Sequence, residues 1–146
     1  MALTIPNTLH KQLRQHGEET YPHECCGVLT GGIDEEGRRT VQAIVRCGNT
    51  RTDSPANRYH ISPAELVRIQ REAALAGRDI VRFYHSHPDR PAQWSVTDLT
   101  EAHWTGRSYV ITSVENSRAA QTNSFLLLDQ EEAKHFEDEE LDIIEQ

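Results

Sequence analysis

One segment constrains the fold more than any other: residues 79–86 are rich in β-branched and aromatic side chains, which predicts a strand. Residues two apart along a strand project from the same face, so His85 and His87 are neighbours on one surface. Phe83 shares that face, which therefore passes from apolar core to polar site towards the end of the strand. Pro88 cannot donate to a sheet ladder, so we expect the strand to end there, at a rim lined by loops.

The rest of the chain alternates helical and strand patterns. The serine, proline and glutamate at positions 62, 63 and 65 are typical of a capped helix start, and this helix is predicted to end near Gly77. Apolar residues recur every four positions between Ile5 and Leu13, which predicts a first helix up to about Gly17. The order of elements predicts the α/β class (α+β), with one sheet flanked by helices. Further strands are predicted at residues 25–30, 39–45, 108–114 and 123–128, and a further helix at 95–104.

Charge is unevenly distributed along the 146 residues, a length that suits one domain. The formal net charge is −8, and residues 129–146 contain nine acidic residues and one lysine, so residues 1–128 are neutral overall. We therefore divide the chain into a domain at 1–128 and an acidic C-terminal tail at 129–146, expected to be solvated and partly helical. On such a helix, Phe136, Leu141 and Ile144 would form a narrow apolar stripe for docking. A neutral domain has no field to gather polyanions, which argues against nucleic acid as a partner.

Two further features bear on the compartment. No apolar run is long enough to span a bilayer, and the first residues lack the pattern of a secretory signal, so a cytoplasmic location and no membrane partner are expected. Three cysteines, an odd number, are expected to be reduced and buried. Cys25 and Cys26 are adjacent rather than spaced as C-x-x-C, which argues against a redox motif or a four-cysteine zinc site.

The two histidines suit a metal ion. Two neutral imidazoles and one carboxylate are a common ligand set for zinc, with the fourth position left for water. Asp98 can supply the carboxylate from a helix that begins at Ser95, because residues three apart lie on one side of the first turn. The Ser95 hydroxyl would then point towards the open metal position. A carboxylate must take a proton from the water, and Glu24 is the candidate, because its apolar surroundings are expected to raise its pKa.

Each of these features also has an ordinary interpretation. An H-x-H pair is commonly two partly exposed histidines at a strand end, and the spacing of Ser95 and Asp98 is that of a capping box. Glu24 alone is a glutamate near a proline. The four elements together, in order and at constrained spacing, favour a metal site. Three other histidines are expected at the surface or in packing: His23, His60 and His103.

Taken together, Glu24, the His-Ser-His-Pro segment at residues 85–88 and the Ser-x-x-Asp segment at 95–98 resemble the complete signature of the JAMM (MPN+) metallopeptidases. Residues 22–29 also resemble the glutamate strand of this family, and the resemblance covers about residues 3–128. It implies a mixed, curved β-sheet between helices, like the cytidine-deaminase-type fold.

The resemblance also implies roles for individual residues. One zinc ion per chain would be held by His85, His87 and Asp98, with a water as the fourth ligand. Glu24 would activate this water and then protonate the leaving amine, while Ser95 would hydrogen-bond the oxyanion. The loop at residues 49–57 would grip an extended substrate by strand addition. Two arginines in or beside this loop are candidate substrate contacts, although their ordinary interpretation is that of surface residues: Arg51 and Arg58.

The short, single-domain form resembles bacterial members of the family, which act on ubiquitin-like sulfur-carrier proteins. This implies zinc-dependent hydrolysis of a peptide or isopeptide bond that follows the Gly-Gly terminus of a ubiquitin-like or sulfur-carrier protein. An alternative is a non-catalytic MPN-type binding scaffold, although such members generally lack one or more ligands. A zinc nucleoside deaminase would need a C-x-x-C motif that this sequence does not contain, and a nuclease would need a basic surface for phosphates.

Overall fold

The computed structural model describes residues 2–36, 38–49, 59–130 and 133–145. No helix among these residues is both long enough and apolar enough to cross a membrane. Over the described residues, seven strands and three helices follow one another in the order β1 (Ala2–Pro6), α1 (Asn7–Thr20), β2 (Cys26–Ile33), β3 (Arg39–Cys47), α2 (Pro63–Leu75), β4 (Asp79–Pro88), α3 (Val96–Glu101), β5 (Ser108–Glu115), β6 (Arg118–Gln130) and β7 (Ala133–Ile144).

The strands form one sheet that closes on itself. Their order is β1-β3-β2-β4-β5-β6-β7, and β7 pairs back to β1. The pairs β1–β3, β1–β7 and β4–β5 are parallel, whereas β2–β3, β2–β4, β5–β6 and β6–β7 are antiparallel. A mixed sheet combined with helices confirms the predicted fold class.

β4 carries core residues on both of its faces. Every residue that follows Asp79 in this strand is buried. Phe83 packs into a first core cluster that includes α2, whereas its neighbour Tyr84 packs into a second cluster that includes α1. The alternation of side chains places His85 and His87 on the Phe83 face, at the carboxyl end of the strand.

The start of α2 agrees with its sequence signals. The Ser62 hydroxyl accepts a hydrogen bond from the backbone N–H of Glu65 at 3.2 Å, and Pro63 occupies the first position of the helix. The helix ends at Leu75, and Gly77 follows with a φ of +73°, a conformation that favours glycine. The predicted serine cap and the predicted end of the helix near Gly77 are therefore confirmed, and β4 follows directly.

Two other helix predictions need correction at their ends. Ile5, predicted to lie in the first helix, belongs to β1, and α1 begins two residues later. The helix predicted at 95–104 covers only Val96–Glu101, because Ala102 is already extended, with ψ of 126°. β1 exists through pairing with distant strands, which the four-residue spacing of local apolar side chains does not reveal.

The expectation of a solvated, partly helical end at 129–146 is wrong. Residues 133–144 form β7, which pairs antiparallel with β6 and parallel with β1. Phe136 is only 8% exposed and belongs to the first core cluster, while Leu141 packs against the second, so the two side chains form no helical stripe for docking. β7 satisfies backbone groups that β6 and β1 would otherwise present at open edges.

Candidate metal centre

Three side chains converge at the carboxyl end of β4. His85 and His87 project from one face of this strand, and their Nε2 atoms lie 3.2 Å apart. Asp98, in the first turn of α3, places Oδ1 3.2 Å from Nε2 of His85 and Oδ2 3.1 Å from Nε2 of His87. Among the described residues, only these three side chains bring histidine, cysteine or carboxylate ligand atoms close enough together to hold one metal ion.

The two imidazoles are held by contacts that leave Nε2 available. The Nδ1–H of His87 donates to the carbonyl oxygen of Pro91 at 2.9 Å, which assigns the lone pair of the neutral ring to Nε2. The ring of His85 stacks on Tyr59, with ring centroids 4.5 Å apart. Both Nε2 atoms are therefore presented to Asp98 from fixed rings, as metal coordination requires.

The charges at the centre also suit a metal ion. Burial lowers the pKa of His85, which favours the neutral imidazole. For Asp98, burial raises the pKa, but the adjacent imidazoles of His85 and His87 lower it by more, so this pKa lies well below its usual range. A carboxylate ion beside a neutral imidazole is the protonation state in which both groups bind metals.

Ser95 caps α3 and fixes the carboxylate of Asp98. The backbone N–H of Ser95 donates to Oδ2 of Asp98 at 2.8 Å, and the backbone N–H of Asp98 donates to the Ser95 hydroxyl at 3.0 Å. This is the capping box that the spacing suggests as an ordinary interpretation. The same carboxylate faces both histidines, so capping and metal binding are compatible here, and the Ser95 O–H keeps its own proton to donate.

Glu24 lies beside the histidines, just before β2. Cys26 pairs with His85 in the antiparallel ladder of β2 and β4, and the same register two residues further along brings Glu24 opposite His87. The glutamate is only 1% exposed. Burial raises the pKa of Glu24 to about 8, against the opposing charge of Arg90 and with a further rise from the negative charge of Asp98.

Arg90 is a residue of the site that sequence reasoning did not identify. Its Nη2 donates to Oε2 of Glu24 at 2.5 Å, whereas Oε1 of the same carboxylate is buried and accepts no hydrogen bond from the described residues. The only sequence signal for Arg90 is its place in the loop after Pro88, where an arginine is usually a surface residue. The contact leaves one oxygen of Glu24 anchored and the other open.

An aromatic groove of about 200 Å³ is lined by Tyr59, Phe83, Trp104 and Tyr109, together with residues that include His60 and His103. A much smaller pocket of about 10 Å³ is lined by Tyr59 and Asp98. Because Tyr59 also stacks on His85, it lies between the groove and the candidate metal ligands.

The other residues singled out by the sequence lie at the surface or outside the described residues. Arg51, Arg58 and most of the loop expected to grip a substrate, residues 50–57, lie outside the described residues. Asn49, at the start of this loop, donates from its side chain to the backbone carbonyl of Glu24 at 3.4 Å. Three histidines are exposed, as expected of surface residues: His23, His60 and His103.

All three cysteines are buried as free thiols, which confirms the prediction made for them. Burial raises the pKa of Cys25 and of Cys47 to about 12, and it raises the pKa of Cys26 as well. The thiols therefore stay protonated near neutral pH and pack as small apolar side chains.

Comparison with known proteins gives the same picture at the level of sequence. The family model for prokaryotic homologs of the JAB domain matches residues 6–127. A desampylase from Haloferax volcanii is 39% identical over 99 residues, which cover 68% of this chain and 68% of that protein. A probable TtuB-protein conjugate cleaving protease from Thermus thermophilus is 30% identical over 119 residues, which cover 82% of this chain and 75% of that protein.

Solved structures agree with the sequence comparison. A protein from Desulfitobacterium hafniense superimposes with a TM-score of 0.83 at 25% identity, covering 99% of this chain and 94% of that one. A JAB1/MPN domain protein from Archaeoglobus fulgidus shares the fold with a TM-score of 0.59 at 14% identity, covering 99% of this chain and 98% of that one. The family match extends over most of the residues, including every candidate ligand, and the chain belongs to the prokaryotic JAB domain family.

Proposed function

We propose that this chain is a zinc-dependent peptidase that hydrolyses a peptide or isopeptide bond following the Gly-Gly terminus of a ubiquitin-like or sulfur-carrier protein. The observation that carries the proposal is the convergence of His85, His87 and Asp98 beside the buried Glu24. The names of two relatives, a desampylase and a conjugate cleaving protease, support this class of substrate.

The donor set and its spacing fit zinc. The facing donor atoms of His85, His87 and Asp98 lie 3.1 to 3.2 Å apart. In a tetrahedral zinc site with bonds of about 2.0 Å, neighbouring donor atoms lie about 3.3 Å apart. Magnesium and calcium prefer oxygen ligands, whereas two of the three donors here are imidazole nitrogens. Two histidines and one carboxylate leave the fourth position open, which is typical of catalytic zinc.

Glu24 is proposed to move the proton. A zinc ion in this site supplies Lewis acidity, which lowers the pKa of water and polarises a carbonyl oxygen. Glu24, with a pKa of about 8, takes the proton from water and passes it to the departing amine, because its affinity for a proton is matched to neutral pH. Arg90 anchors Oε2, so Oε1 is the oxygen that carries the proton.

Ser95 is proposed to stabilise the negative charge that develops on the scissile carbonyl oxygen. Its hydroxyl oxygen already accepts the N–H of Asp98, so the O–H proton is directed to another acceptor. The capping box holds this hydroxyl in place before substrate binds. Removal of one such donor typically lowers the rate by about 100- to 1000-fold.

The aromatic groove is proposed to take the extended C-terminal segment of the carrier protein. Tyr59 lines both this groove and the small pocket at Asp98, which supports a path for the segment from the groove to the candidate metal ligands.

The test uses the full chain loaded with zinc and a sulfur-carrier protein extended by several residues beyond Gly-Gly. Mass spectrometry should show a product that ends at Gly-Gly. A matched carrier in which Gly-Gly is replaced by Ala-Ala should be cleaved roughly tenfold more slowly or worse, because the proposed specificity is for glycine at both positions. If several carriers stay intact while the preparation contains one zinc per chain, the proposal is wrong.

The alternative, a non-catalytic binding scaffold of the same fold, predicts a different metal content. A scaffold does not need a complete set of ligands and would purify without stoichiometric zinc. The full set of three donors and the buried Glu24 support the enzyme instead. Metal analysis of the purified chain distinguishes the two.

A further inference from the structure

A second cavity, of about 350 Å³, lies at the end of the sheet where β4 begins. Its walls come from the end of β2, the start of β3 and the turns that precede β4 and β5. Asp79 at this cavity and His87 at the metal centre are eight residues apart on β4, which corresponds to about 26 Å at 3.3 Å per residue. The cavity is therefore separate from the proposed active site.

The lining of this cavity is strongly basic. Asp79 is the single acidic residue among the lining residues, and its Oδ2 already accepts Nη2 of Arg107 at 3.1 Å. The chain has a net charge of −8, so this cluster of guanidinium groups is a positively charged region on an otherwise acidic protein. Four arginines line the cavity: Arg39, Arg78, Arg82 and Arg107. We call this space the arginine cavity.

Arg82 is the most deeply buried of these four residues. It is 0% exposed, and its Nη1 donates to the carbonyl oxygen of Val81 at 2.6 Å. Its Nε and Nη2 donate no hydrogen bond to any described residue. Buried guanidinium donors without acceptors are unfavourable, because they lose water without gaining a partner.

Glu139 of β7 forms a buried ion pair with Arg82 but accepts no hydrogen bond from these donors. Its Oε1 is 3.9 Å from Nε of Arg82, too far for a hydrogen bond, and it accepts instead from the hydroxyls of Ser108 at 2.5 Å and Ser124 at 2.7 Å. Nη1 of Arg39 is also buried without a hydrogen-bond partner among the described residues. Three guanidinium nitrogens of these two arginines therefore have no hydrogen-bond partner among the described residues, and Oε2 of Glu139 is likewise buried without one.

Glycines complete the wall of the arginine cavity. Gly77 and Gly106 both line it with positive φ, at +73° and +78°, a backbone conformation that side chains disfavour. Gly32 also lines it, and a Cβ built there meets no atom within 4 Å. The absence of side chains at these three positions leaves room for a ligand to approach the arginines.

We propose that the arginine cavity is a second ligand site and that it binds a small multivalent oxyanion of the phosphate class, such as inorganic pyrophosphate or the phosphates of a nucleotide. The planar guanidinium group donates two parallel hydrogen bonds to phosphate oxygens, and the partly exposed Arg39 and Arg78 present such groups in the wall of the cavity. The volume is within the range of small-molecule sites, about 300 to 1,000 Å³.

The test is a titration of the full, isotope-labelled chain, at constant ionic strength, followed by the amide signals of the protein. The probes are inorganic phosphate, inorganic pyrophosphate and ADP. Binding in the cavity should shift the amide signals of Gly32, Gly77 and Gly106 in a saturable manner. Similar affinities for pyrophosphate and ADP would mean that the site recognises phosphates alone, and tighter binding of ADP would mean that it also contacts the nucleoside.

Matched variants locate the site without relying on the deeply buried Arg82. Arg39→Gln and Arg78→Gln should each weaken pyrophosphate binding by roughly tenfold, the usual effect of losing a charged hydrogen-bond partner. Arg71→Gln removes the same charge from an exposed position of α2 outside the cavity and should leave the affinity unchanged. Amide shifts that do not saturate, or that centre on His85 and His87, would overturn the proposal. Equal pyrophosphate affinities in all three variants would overturn it as well.

Discussion

Replacing one carboxylate oxygen of Glu24 by an amide nitrogen tests proton transfer separately from metal binding. Glu24→Gln keeps the size of the side chain and leaves His85, His87 and Asp98 untouched. We expect the variant to retain one zinc per chain and to lose about 100-fold or more in kcat, because an amide cannot carry the proton. Metal analysis and turnover of the same preparation measure both properties.

The matched control for this experiment is Asp98→Ala. This variant removes one of the three converging donors and should lower the affinity for zinc itself, so its activity should recover partly at high zinc concentration. Glu24→Gln should show no such recovery. Wild-type turnover by Glu24→Gln would mean that another group moves the proton.

Arg90 offers a second prediction at the residue scale. Its guanidinium holds Oε2 of Glu24, and its positive charge lowers the pKa of that carboxyl. Arg90→Gln should therefore raise the pKa of Glu24 and move the acidic limb of the kcat/KM profile to higher pH, because the base must be ionised to accept a proton. The pH profile of hydrolysis measures this directly.

Arg118→Gln is the control for the Arg90 variant, since Arg118 is exposed on β6 and carries the same charge. Its pH profile should match that of the wild type. An Arg90→Gln profile of the same shape, merely lower at every pH, would instead indicate a loss of structure without a change in the pKa of Glu24.

At the element scale, β7 decides how far the folded domain extends. Phe136 of this strand contacts the rings of Tyr109 and Phe125 within the first core cluster, and it also contacts the exposed ring of Trp94. Phe136→Ala should lower the free energy of unfolding by about 3 to 5 kcal/mol, the usual cost of deleting a buried aromatic side chain. Urea unfolding measures the difference.

Ile143→Ala provides the comparison on the same strand, because Ile143 is 43% exposed. This variant should lose much less stability than Phe136→Ala. If both variants unfolded at the same urea concentration as the wild type, residues 133–144 would not be packed as a strand. The solvated segment expected from their charge would then be the correct description.

Local signals predict the elements that hold the site, whereas β1, β7 and Arg90 were not predicted. The cap at Ser62 and the alternation through Phe83 and His85 depend on neighbours in sequence, so the sequence reveals them. β7 forms a hairpin with the adjacent β6, but its acidic composition suggested a solvated end. β1 exists because it pairs with strands far away in the chain. Arg90 was missed for the same reason, since its partner Glu24 is 66 residues away.

At the scale of the whole molecule, α1 ties the closed sheet together, because it packs against strands from both ends of the sheet order. His16 of this helix is buried and its Nδ1 lies 2.8 Å from the hydroxyl of Tyr84 in β4. Burial lowers the pKa of His16 to about 4, with the charge of Arg46 adding to the fall and Glu19 opposing it. The neutral imidazole is therefore the form that the folded protein favours.

This shift makes stability depend on pH in a defined direction. The pKa of His16 is about 4 in the folded chain and 6.5 as its ordinary value, so the unfolded state binds the proton more tightly. The contribution of His16 to the free energy of unfolding is complete above pH 6.5 and is lost as the pH falls towards 4. A pKa difference of this size corresponds to at most about 3 kcal/mol. Urea unfolding at a series of pH values, with a chelator present throughout, measures the loss.

His16→Gln should flatten this dependence, because the amide does not titrate between pH 6.5 and 4, although the variant is expected to be less stable at every pH. His103→Gln removes an exposed histidine and should leave the slope as in the wild type. An equal slope in all three chains would assign the acid sensitivity to other groups, such as the buried His85. If stability depended less on pH in His16→Gln alone, protonation of His16 at the contact between α1 and β4 would be the step that destabilises the fold in acid.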